Sequence, residues 1–175
     1  MLSKGMIVPK LANLKKTDKK VQEICMNDVF GDMILTYETV VRSDKNQTVL
    51  QPLRKNDHED EIKQACMDHF MKIAPPVVKI NNAGAIVLTN QLSFMGATAI
   101  FYPQFMDFLA KGCDLLMIPV SMNEWHIIPA MDLTSYMAAL EYQNLIKEQC
   151  NIPENMFLSD HIYKYEAQKQ AMYPL

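Results

Sequence analysis

The apolar and polar positions in the first third of the chain predict two strands that are joined by a short turn. Residues 32–41 are rich in β-branched and aromatic side chains and predict a strand. Residues 47–53 predict a second strand, which ends at Pro52 or lies at a sheet edge, because proline has no N–H for a ladder hydrogen bond. The turn residues 43–46 separate the two runs, and so short a link favours antiparallel pairing.

Helical periodicity is clearest over residues 57–74. The apolar side of this predicted helix comprises Ile62, Ala65, Cys66, His69, Phe70 and Ile73. Asp57 is the expected N-cap, and the helix ends before the Pro75–Pro76 pair because the residue before a proline avoids the α region. His69 is interpreted as a histidine that packs in the core.

The rest of the chain follows the same rules. Strands are predicted over residues 85–89, 96–101, 115–120, 125–128 and 162–165. Further helices are predicted over residues 17–25, over residues 104–111 and from Asp132 onward. The expected inner face of the last helix comprises Leu133, Tyr136, Met137 and Leu140. Because short links dominate, we predict an α+β fold, a mainly antiparallel sheet with three or four helices packed on it.

These elements predict one compact domain with two appended segments. The domain covers residues 21–166, after a basic segment over residues 1–20 and before a mobile polar tail over residues 167–175. A chain of 175 residues that is 49% hydrophobic is large enough to bury a core.

Charge and composition narrow the classes of function. The formal net charge of −3 argues against a general nucleic-acid-binding protein, which needs a basic face to neutralise phosphates. No apolar run approaches the roughly 18 residues of a membrane span, and the first residues lack a signal-peptide core, so a cytoplasmic protein without membrane contact is expected. The four cysteines are widely spaced, which favours free thiols over disulfides or a zinc site. Fourteen methionines suit a core or an adaptable contact surface.

Several short motifs occur in an order that resembles a bacterial family of unknown function, number 5688. They include Phe30-Gly31-Asp32-Met33, Ile73-Ala74-Pro75-Pro76, Val87-Leu88-Thr89-Asn90, Ile118-Pro119 and Leu158-Ser159-Asp160-His161-Ile162-Tyr163. The resemblance extends over residues 21–165 and implies a shared fold, in an N-terminally shortened form. One departure is Asn123, where the family usually carries histidine. The resemblance implies no activity and supplies no catalytic residue.

Polar residues near the carboxyl end are the candidates for chemistry. Ser159, Asp160 and His161 are the residue types of a hydrolase triad, but neighbours on a strand point to opposite faces, and a polar turn is the simpler interpretation. Glu124 and His126 are spaced to share one strand face, and with His161 they make a metal site only if two strands converge. The chain has neither a P-loop nor a Gly-x-Gly-x-x-Gly fingerprint, and no cofactor is predicted.

These observations favour a non-enzymatic protein-interaction module over an enzyme. A narrower hypothesis is a mobile-element inhibitor of an RNA-guided defence nuclease, an anti-CRISPR-like role. The candidate binding residues are the acidic run Asp57, Glu59, Asp60 and Glu61, together with Glu124, His126, Ser159, Asp160 and His161. One alternative is a hydrolase or metal-dependent enzyme that uses Glu124, His126 and His161. Another is a structural domain that dimerises through the edge strand at residues 47–53.

Overall fold

The chain forms two compact units, each with its own antiparallel sheet and its own helices. The first unit is Met1–Ala74 and the second is Pro75–Leu175. This computed structural model describes residues 3–42, 47–82, 84–149, 152–153 and 156–175. The prediction of an α+β fold with mainly antiparallel sheets is confirmed. The predicted turn at residues 43–46 lies outside the described residues.

The sheet of the first unit is built around one long central strand. Its strands are β1 (Ile7–Asn13), β2 (Asn27–Phe30), β3 (Met33–Arg42) and β4 (Thr48–Pro52). Strand β1 pairs with one side of β3, while β2 and β4 pair with successive parts of its other side. The structure confirms the strands predicted at residues 32–41 and 47–53. It places β1 within the segment assigned to the basic N-terminus, and Pro9 is tolerated there because β1 is an edge strand.

Two α-helices belong to the first unit, α1 (Lys19–Ile24) and α2 (Glu59–Ile73). The Asp18 side chain accepts a hydrogen bond from the Lys20 amide and caps α1. In α2 the prediction of Asp57 as the N-cap is wrong, because His58 occupies that position and makes no side-chain capping bond. Cys66 and Phe70 are buried, whereas His69 is exposed, so its interpretation as a core residue is also wrong.

A six-stranded sheet organises the second unit. Its strands are β5 (Pro76–Ile80), β6 (Ile86–Asn90), β7 (Leu115–Ser121), β8 (Glu124–Pro129), β9 (Tyr163–Glu166) and β10 (Ala171–Pro174), arranged in the order β10-β9-β7-β8-β6-β5. Its α-helices are α3 (Pro103–Ala110) and α4 (Leu133–Gln149). Strand β10 falls in the segment assigned to the tail. The predicted domain limits at residues 21 and 166 stay a prediction.

Both faces of this second sheet are covered. On one face α4 packs over β7 and β8, and the core there comprises Leu116, Ile118, Val120, Ala139, Ile146 and Ile162. On the other face a 3₁₀ helix, Gly96–Phe101, packs against β6 and β8. The prediction of a strand at residues 96–101 is therefore wrong. None of the helices in the described part of the chain is long and apolar enough to cross a membrane.

Candidate functional site

A chain of hydrogen bonds links three elements of the second unit through His126. The His126 Nε2 lies 3.2 Å from the Glu124 Oε1, as the spacing of the two residues on β8 predicts. Its Nδ1 lies 2.9 Å from the Tyr142 hydroxyl on α4. The Asn81 side chain, at the turn after β5, donates to the same hydroxyl at 2.6 Å. His126 is only 7% exposed, so these contacts satisfy a buried ring.

The direction of the Asn81 bond follows from its other contact. The Asn81 side-chain oxygen, Oδ1, accepts from the Ala85 amide at 2.9 Å, so its NH₂ group faces Tyr142. The Tyr142 oxygen therefore accepts from Asn81. In the His126 tautomer that carries its proton on Nε2, the ring donates to Glu124 and its Nδ1 accepts the Tyr142 proton.

The carboxylate of Glu124 is the partly exposed end of this chain. The hydrogen bond from His126 lowers the pKa of Glu124 against the opposing effect of burial, and the charge of Lys79 lowers it further. Because this pKa is lower in the folded protein, the contact stabilises the fold above the normal pKa of a glutamate. The stabilisation is lost as the pH falls through the lowered value.

The third residue of the proposed metal site is not part of this arrangement. His161 is exposed, and its backbone amide donates to the buried Ser159 hydroxyl at 3.0 Å. Within the described residues, no three His, Cys, Asp or Glu side chains are grouped so that they could hold a metal ion. Both ring nitrogens of His126 already have partners, so the ring would bind a metal only by breaking one of these bonds. The enzyme hypothesis stays a prediction that this geometry does not favour.

The Ser159-Asp160-His161 segment has the geometry of a polar turn. The Ser159 hydroxyl accepts the amide of the residue two positions later, the local bond expected of serine in turns. Asp160 points away to an ion pair with Lys147 on α4, at 3.0 Å. These two contacts are those of a local turn and of an ion pair with a neighbouring helix.

The acidic run at the start of α2 is mostly open to solvent. Asp57, Asp60 and Glu61 are exposed, and Glu61 lies 3.6 Å from His58. Glu59 is instead held by Lys63 at 2.7 Å. Lys63 also binds Asp28 at 2.7 Å, so its charge is shared between two carboxylates. The exposed part of the run is therefore an acidic surface at the positive end of a helix dipole.

An apolar surface that the sequence analysis missed lies at the beginning of α4. Met131 is 85% exposed, Leu133 is 77% exposed and Met137 is 50% exposed. The prediction that Leu133 and Met137 face inward is wrong, because Ala139, Gln143 and Ile146 form the buried face. We call the line of exposed apolar residues Leu133, Met137 and Leu145 the α4 ridge. Exposed apolar groups gathered in this way are typical of binding sites.

A groove adjoins the amino-terminal end of the α4 ridge. Its volume is about 470 Å³, and its lining comprises Leu116, Ala130, Met131, Asp132, Tyr136, Lys164 and Leu175. This volume is within the range of ligand-binding clefts. Lys164 is ion-paired with Asp114 at 2.8 Å and lies 3.5 Å from Glu166, so the one ammonium group of the groove is already neutralised. We call this feature the α4 groove.

The fold and these contacts define an α+β protein with a buried chain of hydrogen bonds through His126 and an exposed apolar surface on α4. The chain belongs to the family of unknown function DUF5688, whose model matches residues 45–167. The predicted family is thus confirmed. The match begins in the link before β4 and ends just after β9, so it includes α2, α4 and the His126 contacts. No curated protein and no solved structure matches the chain.

One substitution tests the structural role of the hydrogen bonds through His126, which we call the His126 chain. Tyr142→Phe removes the hydroxyl that serves both His126 and Asn81, and we expect it to lower the free energy of unfolding by about 1–3 kcal/mol. Chemical denaturation followed by circular dichroism measures this loss. Tyr136→Phe is the matched control on the same helix, since its hydroxyl makes no hydrogen bond within the described part of the chain. Equal losses for the two variants would contradict the proposed chain.

Proposed function

We propose that this protein is a non-enzymatic module that binds a partner protein through the α4 ridge and the α4 groove. The observation that carries the proposal is the exposure of Met131, Leu133 and Met137 beside a groove. When a partner covers large apolar side chains that lie in water, the free energy of the system falls and the complex is stabilised. Methionine also adapts its shape to different partners, because its side chain is unbranched and flexible.

The polar residues support a binding role rather than a chemical one. His126 makes bonds through both ring nitrogens, and Ser159 holds a turn. Neither residue lines the α4 groove. A binding module needs a stable scaffold beneath its contact surface, and the His126 chain supplies one by tying α4 to β8 and to the turn after β5.

Affinity capture from the native host tests this proposal. We expect tagged wild-type protein to retain a partner that mass spectrometry identifies. The double variant Leu133→Asp/Met137→Asp is expected to retain at least about tenfold less of that partner than the wild type does. The reason is that a carboxylate at the centre of an apolar contact must be desolvated. Phe108→Asp is the matched control, since Phe108 is 68% exposed on α3. Capture that resists the double variant, or that falls equally with the control, would reject the α4 surface.

A finer proposal is that the partner is an RNA-guided defence nuclease and that this protein inhibits it. The supporting observation is the exposure of Asp57, Asp60 and Glu61 at the start of α2. Such nucleases hold nucleic acid in positively charged channels, and an acidic surface is complementary to such a channel. In this proposal the carboxylates compete with the phosphates of the guide or the target.

A cleavage assay with the nuclease of the native host tests the inhibitor proposal. The triple variant Asp57→Asn/Asp60→Asn/Glu61→Gln is expected to inhibit at least about tenfold more weakly than the wild type, and this difference should shrink as salt is added. Glu23→Gln is the control, because Glu23 is an exposed carboxylate on α1. Inhibition that is unchanged by the triple substitution would exclude this surface.

A further inference from the structure

We propose that the α4 ridge binds a basic amphipathic helix of the partner protein. This inference rests on the protein-binding function proposed above and adds the chemistry of the partner. Two independent features of α4 support it: the spacing of its exposed apolar residues and the sign of the charges beside them.

The spacing of the ridge suits helix-on-helix packing. Leu133, Met137 and Leu145 fall on a single row of residues four apart, with Glu141 as the remaining member of that row. Rows of this kind form the ridges that fit between the side chains of a neighbouring helix. The opposite face of α4 already packs on β7 and β8, so the outer face is the one left for a partner helix.

The charges beside the ridge are predominantly negative. Asp132, Glu141 and Glu148 are all exposed, and the two glutamates form no ion pair within the described residues. The only cation on α4 is Lys147, which is bound to Asp160 at 3.0 Å and lies over the Phe157 ring at 5.5 Å. A partner helix with lysine or arginine beside its apolar stripe therefore meets opposite charges, whereas an acidic helix is repelled.

The α4 groove gives such a helix an anchor point. The groove lies at the amino-terminal end of the ridge and is bordered by Met131, Tyr136 and Leu175. A large apolar side chain of the partner fits this space, and its neighbours one and two turns along then contact Leu133 and Met137. The groove thus contributes apolar contact and the glutamates contribute selection by charge.

Two synthetic helical peptides test the inference on the intact protein. Both are about five turns long and have the same leucine stripe. One peptide carries lysine at all the remaining positions, and the other carries glutamate there. In fluorescence anisotropy titrations, we expect the lysine peptide to bind at least about tenfold more tightly than the glutamate peptide. The double variant Glu141→Lys/Glu148→Lys is expected to reverse this preference.

A second double variant separates the ridge from general charge attraction. Glu23→Lys/Asp68→Lys makes the same change of charge at two exposed carboxylates on α1 and α2, and it is expected to leave the preference for the lysine peptide unchanged. Equal binding of the two peptides, or a preference that persists in the Glu141→Lys/Glu148→Lys variant, would overturn the inference. If capture of the natural partner depends on Leu133 and Met137 while the peptides show no preference, the binding function stands and only the partner chemistry fails.

Discussion

Replacing Trp125 with alanine is expected to unfold much of the second unit. The Trp125 side chain is fully buried, and its indole N–H donates to the Ala97 carbonyl at 2.9 Å. Its ring meets the Tyr163 ring edge to face, with centroids 5.8 Å apart. Truncating a buried tryptophan costs about 3–5 kcal/mol, and the orphaned carbonyl adds about 1–3 kcal/mol. Since the free energy of unfolding of a domain is only about 5–15 kcal/mol, this loss is a large part of the total stability.

Hydrogen exchange of the β8 amides measures this effect within the second unit. We expect Trp125→Ala to speed their exchange strongly, while Trp125→Phe has a smaller effect because an aromatic ring still fills part of the space. Phe108→Ala is the matched control, and its exposed ring predicts a change of under about 0.5 kcal/mol. Trp125 is the only tryptophan, so circular dichroism must replace fluorescence as the second readout. Protection of β8 that survives Trp125→Ala would contradict this account of the core.

The elements that sequence reasoning finds are those whose local pattern and burial agree. Strands β3, β7 and β8 carry continuous or alternating apolar residues because they lie inside their sheets. The strands that it missed, β1, β2, β5 and β10, each pair on one side only. Strands β2, β5 and β10 are only four or five residues long, and Pro9, Pro76 and Pro174 interrupt the strand pattern, so these sequences resemble loops.

The wrong interpretation of α4 has a physical origin. Apolar residues occur on several sides of this helix, so periodicity alone allows more than one inner face. Leu133 and Met137 are both apolar, whereas the true inner face contains the polar Gln143. Tertiary packing selected the face with the small Ala139 against the sheet. The α4 ridge, through which we propose that a partner binds, could therefore not be predicted from the apolar pattern of α4.

The candidate site was predictable only where its residues are close in sequence. Glu124 and His126 alternate on one strand, and the rule of period two placed them together correctly. The contact of His126 with Tyr142 joins a strand to a helix, and that of Tyr142 with Asn81 spans 61 positions. No local pattern encodes such pairs, because they depend on how α4 lies across the sheet.

The misassigned segment at residues 96–101 leads to a second large prediction. Gly96 is buried where the 3₁₀ helix meets the end of β6 and the turn between β7 and β8. A Cβ at this position would overlap the Asn123 carbonyl oxygen, and it would lie 2.5 Å from the Thr89 hydroxyl and 2.8 Å from the Asn90 amide nitrogen. Two of these three atoms belong to the backbone, so no side-chain rotation relieves the overlap. Gly96→Ala is therefore expected to destabilise the second unit by about 3 kcal/mol or more.

The comparison with Thr89 decides whether the backbone causes this effect. Thr89→Ala removes one of the three close atoms and leaves the two backbone contacts, so we expect it not to rescue Gly96→Ala in the double variant. Gly84→Ala is the control for glycine replacement itself, since no atom lies within 4 Å of its added Cβ and only its positive φ opposes the change. That control should cost about 1–2 kcal/mol. Denaturation midpoints that fall equally for Gly84→Ala and Gly96→Ala would show that the close approach at Gly96 is not what fixes the 3₁₀ helix.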